Sequence, residues 1–268
     1  MILERLLVLA LAGAVLTGIS CSLVGSFVVR MNLSSLGFCM SHAAFAGAAL
    51  GLVLSVNPLL VSIGFSTGIA LVLGPVAEKA KLPTNVILGI IFSLMISLGL
   101  IFLNLAPQTA MSSAALSILW GSILGMTVEN VLYLLILTFC IILVFFLFFK
   151  EFQSIMFSQK LAESSGINTR PFYYLMLFLT GVTVAFSLKL VGGLLVFALM
   201  VNPASSAYQF TYDMKRITLL TPIIGVICCI TGIAVSFLLD LPTGSSIAVI
   251  SSVFFGLSVL VSPKRRRG

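Results

Sequence analysis

Residues 150–171 read KEFQSIMFSQKLAESSGINTRP. This is the one long polar interval in a chain that is otherwise almost unbroken hydrocarbon. Of the fourteen basic and seven acidic side chains in the sequence, five stand here: Lys150, Glu151, Lys160, Glu163 and Arg170. Apolar segments of about twenty residues lie on both sides, each long enough to cross a bilayer as a helix. The interval is therefore placed in water while its neighbours are placed in lipid. Its pattern is a short amphipathic helix closed by a small-residue turn, AESSG. A membrane protein presents such a feature to a soluble partner, and an ordinary solvated loop has the same composition.

Working outward, 60% of the residues are apolar and 8% are charged, with a mean hydropathy of +1.26. A soluble domain carries roughly a quarter charged residues, so the chain belongs in a membrane. The apolar runs are continuous and lack the period-two alternation of a lipid-facing barrel. The expected fold is all-α and polytopic, a single transmembrane domain over 1–268. The first run, Leu6 to Val29, is too long for a cleavable signal and is followed by others. A net charge of +7 does not read as nucleic-acid affinity here. The basic residues are dispersed through short loops and a tail, Lys264-Arg265-Arg266-Arg267, in the manner that sets membrane orientation. The five cysteines, Cys21, Cys39, Cys140, Cys228 and Cys229, lie inside apolar runs with no CxxC spacing. Neither a disulfide framework nor a thiolate zinc site is indicated.

Spans are expected at about 6–29, 36–55, 58–77, 86–104, 130–149, 172–188, 190–207, 217–239 and 243–261. With nine spans, Arg30, Lys79, Lys81, the 150–171 linker, Lys215, Arg216 and the 263–268 tail all fall on one side, the cytoplasmic one. The N-terminus then lies outside, and Lys189 is the exception. Eight spans are the alternative, with Pro107 to Gly125 as a re-entrant or interfacial helix anchored by Trp120. Pro75, Pro83, Pro171, Pro242 and Pro263 are expected near span ends, whereas Pro203 and Pro222 lie deeper. SHAAFAGAALG, residues 41–51, has Ala or Gly on nearly every face, which suits a helix enclosed by protein on all sides.

His42, the single histidine, lies in that helix. With Cys39 one turn earlier it offers nitrogen and sulfur to a soft or borderline cation; a structural histidine bonded to a neighbouring helix is the other reading. Asn202-Pro203 stands inside a span, where a missing backbone donor leaves a carbonyl to line a passage or to form a plain kink closed by Ser205 or Ser206. Pro203, Gly192 and Gly193 are the helix-break or gating candidates. No phosphate loop, HExxH or GxSxG is present, so the chain is not read as an enzyme. The acids lie at span edges, which disfavours ion coupling and favours a cytoplasmic engine docked on the central linker.

Five stretches, in order, resemble the membrane permease of ABC-type zinc, manganese or iron uptake systems: LGFCMSHAAFAGAALG (36–51), LWGSILGMTVENV (119–131), FSQKLAESSGIN (157–168), LKLVGGLLVFALMVNPASSA (188–207) and LDLPTGSSIAVI (239–250). The resemblance implies the transmembrane subunit of an ATP-driven importer in a prokaryotic cytoplasmic membrane. Two copies would enclose the passage, two cytoplasmic ATPase subunits would bind the linkers, and an extracytoplasmic metal-binding protein would deliver the cargo. ATP would be bound on the partner, this subunit would hold no cofactor, and the divalent metal would be bound only in transit. The family's docking segment matches Ser158, Lys160, Leu161, Ala162, Glu163, Ser164 and Gly166. His42 matches the family histidine, but the acid expected four residues earlier falls at Phe38. That loss weakens a hard ion such as manganese and leaves Cys39 to tilt selectivity toward zinc. Asn202 stands where many relatives carry a hydroxyl. The rival readings are a chelated metal or other small cargo, and a non-transporting scaffold or receptor subunit that retained the fold.

Overall fold

The computed structural model describes residues 2–106 and 126–263, and every regular element among them is helical. The helices are α1 (Ile2–Arg30), α2 (Ser35–Val53), α3 (Pro58–Ala80), α4 (Thr84–Leu105), α5 (Val128–Leu147), α6 (Phe149–Phe157), α7 (Gln159–Ser164), α8 (Thr169–Val191), α9 (Gly193–Phe210), α10 (Met214–Leu239) and α11 (Thr243–Val261). Among the described residues, eight are long and apolar enough to cross a bilayer: α1 to α5, α8, α10 and α11. The eighteen-residue α9 covers most of the segment expected at 190–207. The expectations for Pro107 to Gly125 with Trp120, and for Lys264 to Arg267, fall outside the described residues.

Polar side chains mark the ends of the spans. Asn57 accepts from the Leu59 amide at 3.0 Å and Pro58 opens α3, a proline position that sacrifices no helical bond. Asp213 accepts from the Lys215 amide at the start of α10, and Thr127 does the same for Asn130 in α5. Pro83 and Pro242 are the residues before α4 and α11. Pro75 stands near the end of the apolar span Pro58–Ala77, as expected, within a helix that runs on to Ala80.

Packing divides the chain into two compact units. The first comprises 1–32, 123–172 and 198–268. Within it α1 lies against α5 and α10, and α10 lies against α11. Lipid offers no hydrophobic drive for helix association, so close packing and interhelical hydrogen bonds do that work. The Ser22 hydroxyl donates to the Leu199 carbonyl at 3.2 Å. The Tyr208 hydroxyl donates to the Ser26 carbonyl at 3.1 Å. Asn202 spends its amide hydrogens on Ser251 and Ser252, at 2.9 and 3.0 Å.

The second unit comprises 33–122 and 173–197. Its centre is α2, packed against both α3 and α4. Ala44, Phe45 and Ala48 meet Ala185 and Leu188 of α8, while Ala43 and Ala46 meet Met95. Nearly three quarters of the α2 span is buried (72%), against 22% for α4. That difference is the enclosure expected from the Ala/Gly pattern. The Ser66 hydroxyl donates to the Gly181 carbonyl at 2.9 Å and ties α3 to α8.

Candidate functional site

The polar interval folds as two short helices and a stop. On α6, Phe152, Ile155 and Met156 are buried while Lys150 is exposed, the division expected of an amphipathic helix lying on a bundle. Ser158 is extended, ends α6, and accepts from the Leu161 amide to begin α7. Six residues later the chain stops in a Schellman arrangement. Gly166, at φ +83°, donates to the Glu163 carbonyl at 3.0 Å, and Ile167 donates to Ala162 at 3.0 Å. Glycine suits that left-handed position because it carries no Cβ.

Glu163 locks this turn to the next span. Its carboxylate accepts from Thr169 at 2.5 Å and from Gln159 at 3.2 Å. The Thr169 bond, then the Gln159 bond, hold the carboxyl below the ordinary carboxylate range, with Arg170 adding a smaller pull. Beside the turn lies an open groove of about 330 Å³ lined by Gln153, Ser154, Phe157, Leu161, Ala162, Ser165 and Met214. Phe157 and Leu161 are 68% and 57% exposed. Of the residues expected to dock a partner, Leu161 and Ala162 line the groove, Ser158, Glu163 and Gly166 shape it, and Lys160 and Ser164 are exposed on α7.

His42 stands in an aromatic frame. Its ring meets Phe38 edge-on at 4.8 Å and Phe92 of α4 at 4.7 Å. Phe38 stacks on Phe92 at 4.8 Å and tilts against Phe197 of α9 at 5.4 Å. All four side chains are half-buried. Cys39 is fully buried, and among the described residues no three His, Cys, Asp or Glu side chains are grouped to hold a metal. Phe92 and Phe197 were not legible in the sequence as neighbours of Phe38 and His42. Aromatic residues are common in spans, and only the packing singles these two out.

The α8–α9 break lies beside the same helix. Gly192 has φ +85° yet still donates to Leu188 at 2.9 Å and accepts from Val196 at 3.2 Å, so the chain bends with its hydrogen bonds retained. The Gly193 carbonyl accepts from the Ser41 hydroxyl at 3.4 Å, next to His42 in sequence. Pro203 lies inside α9, in the first unit. The carbonyl it leaves unpaired, that of Leu199, receives Ser22 from α1 rather than a serine of its own helix. Ser206 instead donates to Asn202 at 2.8 Å.

Residues 4–262 match the model of the ABC 3 transport family. The chain belongs to that family. The manganese transport system membrane protein MntC of Listeria innocua is 30% identical over 257 residues, 96% of this chain and 90% of the relative. The high-affinity zinc uptake system membrane protein ZnuB of Haemophilus influenzae is 28% identical, over 95% of this chain and 97% of its own length. A chain in the structure of PsaBC from Streptococcus pneumoniae in complex with Fab matches with a TM-score of 0.86 and 27% identity, covering 97% of this chain and 93% of that one. A chain of "An inward-facing conformation of a putative metal-chelate type ABC transporter" shares the fold at a TM-score of 0.80 and 17% identity, over 95% of this chain and 85% of that one. As an ABC 3 member the chain is the non-catalytic, multi-pass permease subunit of a divalent-metal importer in the plasma membrane, working with ATPase and solute-binding components.

Proposed function

We propose that the groove on α6 and α7 is where the cytoplasmic ATPase grips this permease, and that His42 touches the metal in transit. The observation that carries the first part is the groove itself. Two exposed apolar side chains, Phe157 and Leu161, flank a cavity held rigid by the Ser158 cap, the Gly166 stop and the Glu163–Thr169 clasp. A partner knob entering it would desolvate both side chains, and a fixed turn transmits a push better than a loose loop. Ser158, Lys160, Ala162, Glu163, Ser164 and Gly166 complete this surface. Orientation follows from charge: a cytoplasmic 150–171 segment leaves the 263–268 tail inside only if α9 also crosses, giving nine spans.

The passage is formed with a second copy of the permease, and an extracytoplasmic binding protein feeds it. ATP-driven closure of the partner rocks the bundle between two openings. At His42 the ion meets one imidazole and a phenylalanine where an acid is expected. Imidazole suits zinc and iron better than manganese, which prefers oxygen ligands. We therefore place zinc or iron ahead of manganese, with Cys39 and Asn202 as subordinate candidates and Gly192, Gly193 and Pro203 as the gating ones. A second reading, cargo carried as a chelate with its own ligands, draws on the same phenylalanines, which offer a wrapped metal an apolar wall.

The test is capture of the purified ATPase by membranes holding Leu161→Glu or Ala162→Lys. Capture is expected to fall at least about tenfold, the cost of burying an unpaired charge in an interface. Wild-type capture by both variants would move the docking site elsewhere.

A further inference from the structure

We propose that Arg30 is the positioning residue that passes movement of the docking segment into the helix bearing His42. The inference rests on the docking reading and assigns a residue that reading does not contain. Arg30 is the last residue of α1, and its Nε donates to the Met156 carbonyl at 2.8 Å. Because α6 ends at Phe157, that carbonyl is one of the four that a helix C-terminus leaves without a helical donor. A guanidinium there also meets the negative end of the helix dipole.

One turn earlier, the buried Phe27 meets the buried Phe152 ring edge-on at 5.6 Å. Phe152 is the hub of the docking helix and also touches Phe145, Phe148 and Phe172, at 5.2, 6.4 and 5.9 Å. The middle of α6 is thus fixed to α1 by ring packing, and its end by a charged hydrogen bond. A shift of α6 pulls on the final turn of α1 at both points.

After Arg30 only residues 31–34 intervene before α2 begins at Ser35. Within them Asn32 has φ +56°, a left-handed conformation that a short polar side chain tolerates, and the boundary between the two compact units falls directly after it. His42 lies two turns into α2. The route from docking helix to metal-touching helix is therefore one hydrogen bond, one helix end and one bend. Arg30 itself is exposed, so its bond is no requirement of core packing. Its replacement leaves the Phe27–Phe152 contact in place and removes the tie at the end of α6.

The experiment uses the assembled permease, ATPase and binding protein in vesicles, with metal moved and ATP hydrolysed measured in the same sample. In Arg30→Gln the ATPase is captured as in wild type while metal moved per ATP falls about tenfold, within the range by which mutations along coupled elements change coupling. Arg30→Lys, which restores a cationic donor, recovers most of the ratio. A wild-type ratio in Arg30→Gln overturns the proposal. So does reduced ATPase capture or assembly in Arg30→Gln, because Arg30 would then hold the docking surface rather than transmit from it. Failure of the docking reading is seen separately, as wild-type capture by both Leu161→Glu and Ala162→Lys.

Discussion

The Ser22 hydroxyl of α1 donates to the Leu199 carbonyl of α9 across 3.2 Å, the carbonyl that Pro203 leaves without its helical donor. Both groups are buried, and an unsatisfied carbonyl in such a place costs about 1–3 kcal/mol. Ser22→Ala is expected to lower stability in detergent by about 1 kcal/mol, read from thermal unfolding. Pro203→Ala restores a backbone donor, so adding Ser22→Ala to it is expected to cost less than Ser22→Ala alone. Equal losses in both backgrounds would remove the coupling between these residues.

That pair also shows where the sequence stops being readable. The spans are legible because each side chain in lipid must be apolar, a condition visible one residue at a time; 243–261 is expected and found at the same residues. The mid-chain amphipathic helix and its AESSG turn are legible from local composition, whereas the bonding that closes the turn is seen only in the structure. Ser22 is different. Its partner is 177 positions away, and nothing in either segment announces the other. The same holds for Asn202 with Ser251 and Ser252, for Arg30 with Met156, and for the Phe38–Phe92–Phe197 frame around His42. Such contacts are set by how helices cross, which composition does not encode.

At His42 the prediction concerns flux. On the proposed reading, His42→Ala is expected to reduce metal uptake about tenfold or more while ATPase capture stays intact, because an imidazole nitrogen proposed to touch the ion is lost. Phe38→Asp is expected to broaden uptake toward manganese by supplying the missing carboxylate. Uptake assays over the metal series check both. An unchanged rate in the first, or an unchanged profile in the second, removes that residue from selection.

Glu163 makes the turn after α7 sensitive to acid. Its carboxyl titrates below the ordinary value because the charged form accepts from Thr169 and Gln159. A depressed carboxyl contributes stability that is fully present above the ordinary value and is lost as pH falls through the lowered one. Hydrogen exchange at the α7 amides should therefore be flat near neutrality and accelerate below the usual carboxylate range, beyond the intrinsic pH dependence. Glu163→Gln should show no such acid step, and an identical step in that variant would contradict the assignment.

Two glycines separate close approach from mere smallness. A Cβ on Gly25 would fall on the Met200 carbonyl of α9, whereas one on Gly68 meets nothing within 4 Å. Gly25→Ala is expected to cost several kcal/mol (~2–4) through forced separation of the backbones. Gly68→Ala should be neutral or slightly stabilising, since alanine is the better helix former. Thermal unfolding of both variants in the same detergent checks the contrast.

The measurement that bears most directly on the account is radiometal uptake by the purified complex in vesicles, with zinc, manganese, iron and cobalt offered in turn. At least one ion should accumulate when ATP, the ATPase and the binding protein are all present, and uptake should collapse when the ATPase is omitted or Leu161→Glu replaces wild type. Accumulation that persists without ATP, or none for any ion with the full complex, would contradict an importer driven through the α6–α7 groove.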